Sequence, residues 1–304
     1  MNRAHATPGM EALRARIEAC ALPRLEPDRR MIATWNIRAF GAAPRREDSL
    51  AYIAEVMSHF DLVAIVELRQ NLTDLDAVLA HLGPHWDALF TGVIRDPAGN
   101  HERACYAFNT RRVRHRRLAW NPQAPRTKAG DEYLPKLGWW RPPYLAAFRA
   151  GDTDLLLLTA HVRWGRSARA RLSELTLLAD WVATEIGKDP FCANQDVIAL
   201  GDFNIPNERS PLFAAVQARG LTIPTGLLGT HGSNLAKNKR YDQILHAPGS
   251  GGAFTGRAGA LDFYSGPGGV GALYPRSVDA REFTFEMSDH LPLWAELATR
   301  RTPP

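Results

Sequence analysis

Two histidines, two aspartates, a glutamate and two asparagines stand where apolar runs of this chain end. They are Asn36 in Trp35-Asn36, Glu67 in Val66-Glu67, His161, then Asp202 and Asn204 in Gly201-Asp202-Phe203-Asn204, then Asp289 and His290 in Ser288-Asp289-His290. Each run reads as a buried strand, and residues just beyond strand ends are free to do chemistry while the scaffold holds them. Oxygen donors in company with two imidazoles suit a hard divalent cation and attack on a phosphodiester. That reaction needs an activated water, positive charge against the non-bridging oxygens and a proton for the leaving oxygen.

Alone, each residue has a plainer reading. Glu67 is then a solvated glutamate, Asn36 a turn residue, and either histidine a hydrogen-bonded structural group. Together they favour catalysis. Imidazole titrates near neutral pH, so His161 and His290 can make the two proton transfers. Each requires a carboxylate to fix its tautomer. Glu102, Asp242 and Asp289 are the candidates, and the residues alone leave the pairing open. Asp289 is equally a candidate metal ligand. Magnesium takes only one or two protein carboxylates and keeps several waters, and Glu67 is well placed as such a ligand.

The elements that must position these groups are legible in part. Met10, Leu13, Ile17 and Ala21 recur at helical spacing, which predicts an N-terminal helical extension within residues 1–30, ahead of a main domain over 31–300. Strands are expected over Met31–Ile37, Leu62–Val66, Ala104–Phe108, Leu155–Val162 and Val197–Phe203. Helices are expected over Ser49–His59, with Asp48 or Ser49 as cap, over Asp74–Leu82, over Arg169–Ile186, and from Ser210-Pro211, where serine caps and proline opens the first turn. Leu291, Leu293, Ala295 and Leu297 alternate with Pro292, Trp294 and Glu296, which predicts a closing strand with one wet face. Asn121–Pro143 and Pro248–Pro275 read as long surface loops.

The chain has 304 residues, 45% of them hydrophobic, which is enough for a large core, and a formal net charge of +5, which favours an anionic partner. Arg111, Arg112, Arg114, Arg116 and Arg117 read as a solvated face. Arg163, Arg166, Arg169 and Arg171 follow His161 closely, and phosphate contact is expected there. Cys20, Cys105 and Cys192 are too scattered for a disulfide framework or a metal site and belong to packing. The N-terminus lacks an apolar leader-like run and no stretch approaches a membrane span. The expectation is therefore a cytoplasmic protein without integral membrane association, secretion remaining compatible.

Several segments resemble the endonuclease/exonuclease/phosphatase superfamily, and within it deoxyribonuclease I. They are TWNIRAFG (Thr34 to Gly41), AIVELRQ (Ala64 to Gln70), HERACYAF (His101 to Phe108), RPPYLAAF (Arg141 to Phe148), TAHV (Thr159 to Val162), LGDFN (Leu200 to Asn204), RYDQIL (Arg240 to Leu245) and MSDHLP (Met287 to Pro292). The resemblance implies an α/β four-layer sandwich, two mainly antiparallel β-sheets flanked by helices. It implies that Glu67 and Asn36, with Asp289 as a further candidate, hold Mg²⁺, with Mn²⁺ as a substitute. It pairs His161 with Glu102 and His290 with Asp242 as the acid and base, and gives Asp202 and Asn204 the orientation of water and phosphate. Arg38, Arg69 and Arg141 match arginines that contact DNA, and Arg163 joins them from its place after His161. The chain departs from the secreted enzymes at Asn100, where a groove-contacting tyrosine is usual, and at Ile205-Pro206-Asn207, where a disulfide follows GDFN.

The leading expectation is a Mg²⁺-dependent endonuclease of low specificity that leaves 5′-phosphate ends on DNA. A phosphatase or phospholipase of the same fold would keep the catalytic residues and change the surface. A non-catalytic nucleic-acid-binding module would have lost a histidine or a metal carboxylate, and none is missing. Trp139, Trp140 and Trp164 either stack on unpaired bases or pack within their loops.

Overall fold

The computed structural model describes residues 7–94, 100–135, 138–165, 167–193, 195–229, 232–274 and 278–299. In chain order the first elements are α1 (Pro8–Ala19), β1 (Arg29–Asn36), α2 (Glu47–Met57), β2 (Leu62–Leu68), α3 (Thr73–Leu82), β3 (Trp86–Phe90), β4 (Arg103–Asn109) and β5 (Arg114–Trp120). A hairpin of β6 (Arg126–Ala129) and β7 (Glu132–Pro135) precedes β8 (Tyr144–Ala150), β9 (Thr153–His161) and α4 (Ala168–Thr184). Then come β10 (Asp196–Asp202), α5 (Pro211–Gln217), β11 (Asp242–His246), β12 (Phe254–Ala260), α6 (Gly269–Leu273), α7 (Ala280–Glu286) and β13 (Leu293–Ala298).

Strands of order β12-β13-β1-β2-β4-β3 form one sheet, and β11-β10-β9-β8-β5 the other. Period-two side-chain alternation divides the first sheet between two cores. Ile32, Leu62, Ala64, Tyr106, Phe108, Leu293, Ala295 and Leu297 join the core shared with the second sheet and with α4 and α5. Met31, Ala33, Trp35, Val63, Ile65, Cys105, Ala107 and Trp294 join the core formed with α1, α2, α3, α6 and α7. The result is the four-layer α/β sandwich that the sequence motifs imply. Leu13 and Ile17 seat α1 in the second core, and the Arg16 guanidinium ties it down by donating to the carbonyls of Tyr264 (2.8 Å) and Gly269 (2.6 Å).

The site depends on strand direction. All neighbouring pairs are antiparallel except β1 with β2 and β9 with β10, one parallel pair in each sheet. Register sets Asn36 opposite Val66 in the first pair and Asp202 opposite His161 in the second. The antiparallel neighbours β4, β8, β11 and β13 begin where those four strands end. One rim thus gathers the ends of β1, β2, β9 and β10 with the starts of β4, β8, β11 and β13.

Several expectations need correction. β13 has no wet face: Trp294 and Glu296 are 7% and 2% exposed, because β12 flanks the strand and the helical layer covers it. Residues 121–143 contain the β6–β7 hairpin. Residues 248–275 contain β12 and α6, and they send Leu261, Phe263, Leu273 and Tyr274 into the core. The α2 helix starts earlier than expected, after Arg46, and Ser49 does not cap it. Its hydroxyl instead donates to Glu286 (2.5 Å) and meets the Tyr274 hydroxyl (2.8 Å). Arg112 is no solvated charge: its guanidinium pairs with fully buried Asp61 and donates to the carbonyls of Glu26 and Arg29. Ser210 and Pro211 open α5 as expected, the serine Oγ accepting from Leu212 N at 3.2 Å.

Gly201 is where β10 must run closest to β9. Its φ is +148°, and a Cβ there would sit 2.1 Å from the Ala160 carbonyl oxygen. Gly201→Ala combines a strained backbone with a backbone clash, and is expected to destabilise by about 2–4 kcal/mol. Urea unfolding checks this, with a fall in midpoint at unchanged slope.

Candidate active site

Parity explains why Asn36 faces the seam between the sheets. It lies on the same side of β1 as Ile32, which points to the inter-sheet core. There its Nδ2 donates to Asp202 Oδ2 of the other sheet at 3.0 Å and to Glu67 Oε1 at 3.2 Å. Glu67 reaches this point through a break in β2: pairing with β4 shifts register between Ile65 and Leu68, and Glu67 itself has φ +65°. Bulges of this kind re-aim a side chain. The Ala39 amide then holds Glu67 by donating to its Oε2 at 2.9 Å.

Two histidine–carboxylate pairs close on the same aspartate. His161 Nδ1 lies 2.7 Å from Glu102 Oε2, and His290 Nδ1 lies 2.6 Å from Asp242 Oδ2. Their outward nitrogens both turn to Asp202 Oδ2, His161 Nε2 at 3.8 Å and His290 Nε2 at 4.0 Å. Asp202 Oδ1 accepts from the Asn204 amide at 2.9 Å, and Asn204 Nδ2 donates to the Val162 carbonyl at 2.7 Å. Asn204 holds this pose at φ +52°.

Glu102 is 2% exposed, and burial alone would raise its carboxyl. The His161 imidazolium, its hydrogen bond, Arg141 and Asn100 outweigh burial and bring Glu102 down to about 2. Burial likewise works against a charged His161, yet Glu102 and Asp202 raise it. Burial opposes the charged form of His290 too, but Asp242, Asp202 and Asp289 lift it from 6.5 to about 10.

The arginines stand around this centre in three ways. Arg141 pairs with Glu102, its Nη2 donating to Oε1 at 3.0 Å and its Nε lying 3.0 Å from Oε2. Arg69 lies 3.6 Å from Glu67 and 3.8 Å from Glu102. Arg38 lies 3.6 Å from Asp289, donates to Thr284 Oγ1 and stacks on exposed Phe285 at 4.0 Å. Arg163 is brought instead to Glu174, at 3.2 Å, and to the Trp140 ring. Arg166 lies outside the described residues. Trp139 packs edge-on against Trp181 rather than opening to a ligand.

A hard cation fits this donor set. Asn36 Oδ1 is buried and lacks a hydrogen-bond partner, and it belongs to the same side chain that touches Glu67 and Asp202. Glu67, Glu102 and His161 could hold a metal ion, and so could Asp202, Asp242 and His290. Asp289 belongs to neither group; it stands partly exposed beside Arg38.

Some positioning residues are not evident from residue type. Ser288 Oγ donates to the Asn36 carbonyl at 2.6 Å and accepts from the His290 amide at 3.0 Å, which joins the two ends of the site. Trp35 Nε1 donates to the His290 carbonyl. The serine before Asp289 and the tryptophan before Asn36 are visible in their motifs, but nothing in the sequence says what they touch.

His290, raised above its unfolded value, stabilises the fold fully below pH 6.5, and that contribution fades as pH rises through about 10. Asp242→Asn is therefore expected to lower the melting temperature of metal-free protein at pH 7. The deficit against the unaltered protein should shrink above about pH 10, as thermal melts across that range would show.

The Endonuclease/Exonuclease/phosphatase family profile matches residues 33–290. No curated protein sequence matches the chain. Among solved structures, the chain is similar to a mannosyl-6-phosphatase of Bacteroides thetaiotaomicron VPI-5482, with 21% identity over 88% of this chain and 99% of that one, TM-score 0.58. It is similar to the human Nocturnin catalytic domain with bound sulfate, with 16% identity over 91% and 96%, TM-score 0.59. It is also similar to D. rerio TDP2 complexed with single strand DNA product, with 14% identity over 89% and 99%, TM-score 0.59. At these identities the solved structures speak for the fold alone, and the profile, which spans most of the chain, carries the assignment: this chain belongs to the Endonuclease/Exonuclease/phosphatase family of phosphoester hydrolases.

Proposed function

We propose that the chain is a metal-dependent phosphodiesterase acting on nucleic acid, an endonuclease of low sequence specificity that cuts DNA to 5′-phosphate ends. The observation that carries the hydrolytic part is the convergence of His161 Nε2 and His290 Nε2 on Asp202 Oδ2, each imidazole backed by its own buried carboxylate. The choice of nucleic acid rests on the +5 net charge and on Arg38, Arg69 and Arg141 around the rim; Arg163 is taken up by Glu174.

In this reading the scissile phosphate sits above Asp202 and Asn204. Water attacks phosphorus and gives its proton to His161 Nε2, which Glu102 orients through Nδ1. The bond from phosphorus to the 3′ oxygen breaks, and His290 Nε2 donates the proton that makes it a hydroxyl. The high pKa of His290 suits a proton donor at neutral pH. Glu67 and Asn36 Oδ1 would hold Mg²⁺ or Mn²⁺, which would supply positive charge to the non-bridging oxygens. Arg141 and Arg69 add positive charge on the Glu102 side. A phosphatase acting on a sugar phosphate would use the same centre, and the B. thetaiotaomicron mannosyl-6-phosphatase is similar to this chain in fold. The arginine rim favours the polyanion.

Supercoiled plasmid with Mg²⁺ tests this. Nicking is expected, with loss in EDTA and with His161→Ala or His290→Ala each lowering kcat by about 100-fold or more. Supercoiled plasmid and single-stranded oligonucleotide both left intact at high protein concentration overturn the nuclease reading. Glu67→Gln should raise the Mg²⁺ needed for half-maximal rate by about 10-fold or more, as a metal titration of the nicking rate reads directly.

A further inference from the structure

Beside His290 an aromatic path runs out of the active centre to the surface. The Tyr241 ring centroid lies 6.0 Å from that of His290, and Trp164 meets Tyr241 edge-on at 5.5 Å and 82°. Trp164 is 64% exposed, the most open of the large hydrophobic residues described. The Arg171 guanidinium lies over its ring at 5.4 Å. A largely exposed indole is usually mobile, yet the backbone around this one is anchored by the site itself. Two residues before it, the Val162 amide donates to the Asp202 carbonyl at 2.9 Å and the Val162 carbonyl accepts from Asn204. The adjacent Arg163 gives both its amide and its Nε to Glu174, a glutamate only 3% exposed. Tyr241 is held through its carbonyl, which accepts from the Phe203 amide, and it immediately precedes Asp242, the partner of His290.

We infer that Trp164 and Tyr241 form a stacking platform for an unpaired base of the strand being cut, so that the protein prefers single-stranded over duplex substrate. This rests on the nucleic-acid reading above and specifies the form of that substrate. The chemistry follows from what each partner leaves free. Bases inside a duplex have both faces covered by their neighbours, whereas an unpaired base offers a face to an indole. Stacking of that kind tolerates any sequence. Arg171 over the indole adds a cation where a strand carrying phosphate must pass. Position decides the role: the platform begins one ring away from the histidine assigned as proton donor, within reach of the nucleotide that carries the scissile phosphate.

The test is equilibrium binding by fluorescence anisotropy in EDTA, which needs no turnover. Labelled single-stranded oligonucleotide and the same sequence as a blunt duplex are compared for the unaltered protein, Trp164→Ala and Trp164→Phe. The expected result is tighter binding of the single strand. Its affinity relative to duplex should fall about tenfold in Trp164→Ala and largely return in Trp164→Phe. Equal loss on both forms, no loss, or a preference for duplex in the unaltered protein overturns the platform. Plasmid and oligonucleotide cleavage in Mg²⁺ is run beside it. Absence of cleavage with Trp164-dependent strand preference intact sinks the nuclease reading and keeps the platform. Binding of a hexose phosphate in place of the oligonucleotide, weakened by Trp164→Ala, would make the ring a sugar platform and overturn the inference.

Discussion

The buried oxygen Asp202 Oδ2 is the point on which the rest of the centre depends. It accepts a hydrogen bond from Asn36, which belongs to the other sheet, and the Nε2 atoms of His161 and His290 lie 3.8 and 4.0 Å from it. A carboxylate only 3% exposed is costly to leave uncompensated. Here the compensation is shared among Asn36, His161 and His290. The seam between the sheets is therefore fastened at one end by the site itself. Moving either sheet along its strands would separate Asn36 from Asp202, and with it His161 from Glu102 and His290 from Asp242.

The same demand explains why each sheet carries one parallel pair. Parallel neighbours end at the same rim, and antiparallel neighbours begin there. Asn36 and Glu67 come from strand ends in one sheet, His161 and Asp202 from strand ends in the other, and Glu102, Asp242 and His290 from strand starts between and beside them. Loops need only reach the rim and return. That is why residues far apart in sequence meet within hydrogen-bond distance at a centre that no single segment builds.

How much of this the sequence shows depends on what kind of fact is asked. The buried strands β1, β2, β9 and β10 are legible because runs such as Leu155–Leu158 are apolar on both faces, and the polar residue ending each run is legible with them. Pairing is not. Glu102, Asp242 and Asp289 are equivalent as carboxylates until register brings Glu102 to His161 and Asp242 to His290. Edge strands are also hidden. β5 falls within an arginine run and β12 within a glycine-rich stretch, and both are shaped by their neighbours more than by their own periodicity. Trp294 and Glu296 look like a wet face from alternation alone. The helical layer, assembled from distant segments, makes them buried.

The charges at the rim give the last constraint. Glu67, Glu102, Asp202, Asp242 and Asp289 carry carboxylates, while Arg38, Arg69 and Arg141 carry guanidinium groups and His161 and His290 complete the positive side. With both imidazoles protonated the set is balanced, and the arginines nearest the centre are already in contact with its carboxylates. On the proposed reading an anionic substrate adds its own negative charge, and a histidine that is to take up a proton must start neutral, which leaves the set one positive charge short. Arg69 and Arg141 already offset Glu67 and Glu102, the carboxylate beside His161, and Arg38 offsets Asp289. Added positive charge must therefore come with the substrate or be held where an acceptor is still free. Asn36 Oδ1, buried and without a partner beside Glu67, is such an acceptor. On the proposed reading, a cation held there would balance the charge of an anionic substrate in a centre whose own charges already pair with one another.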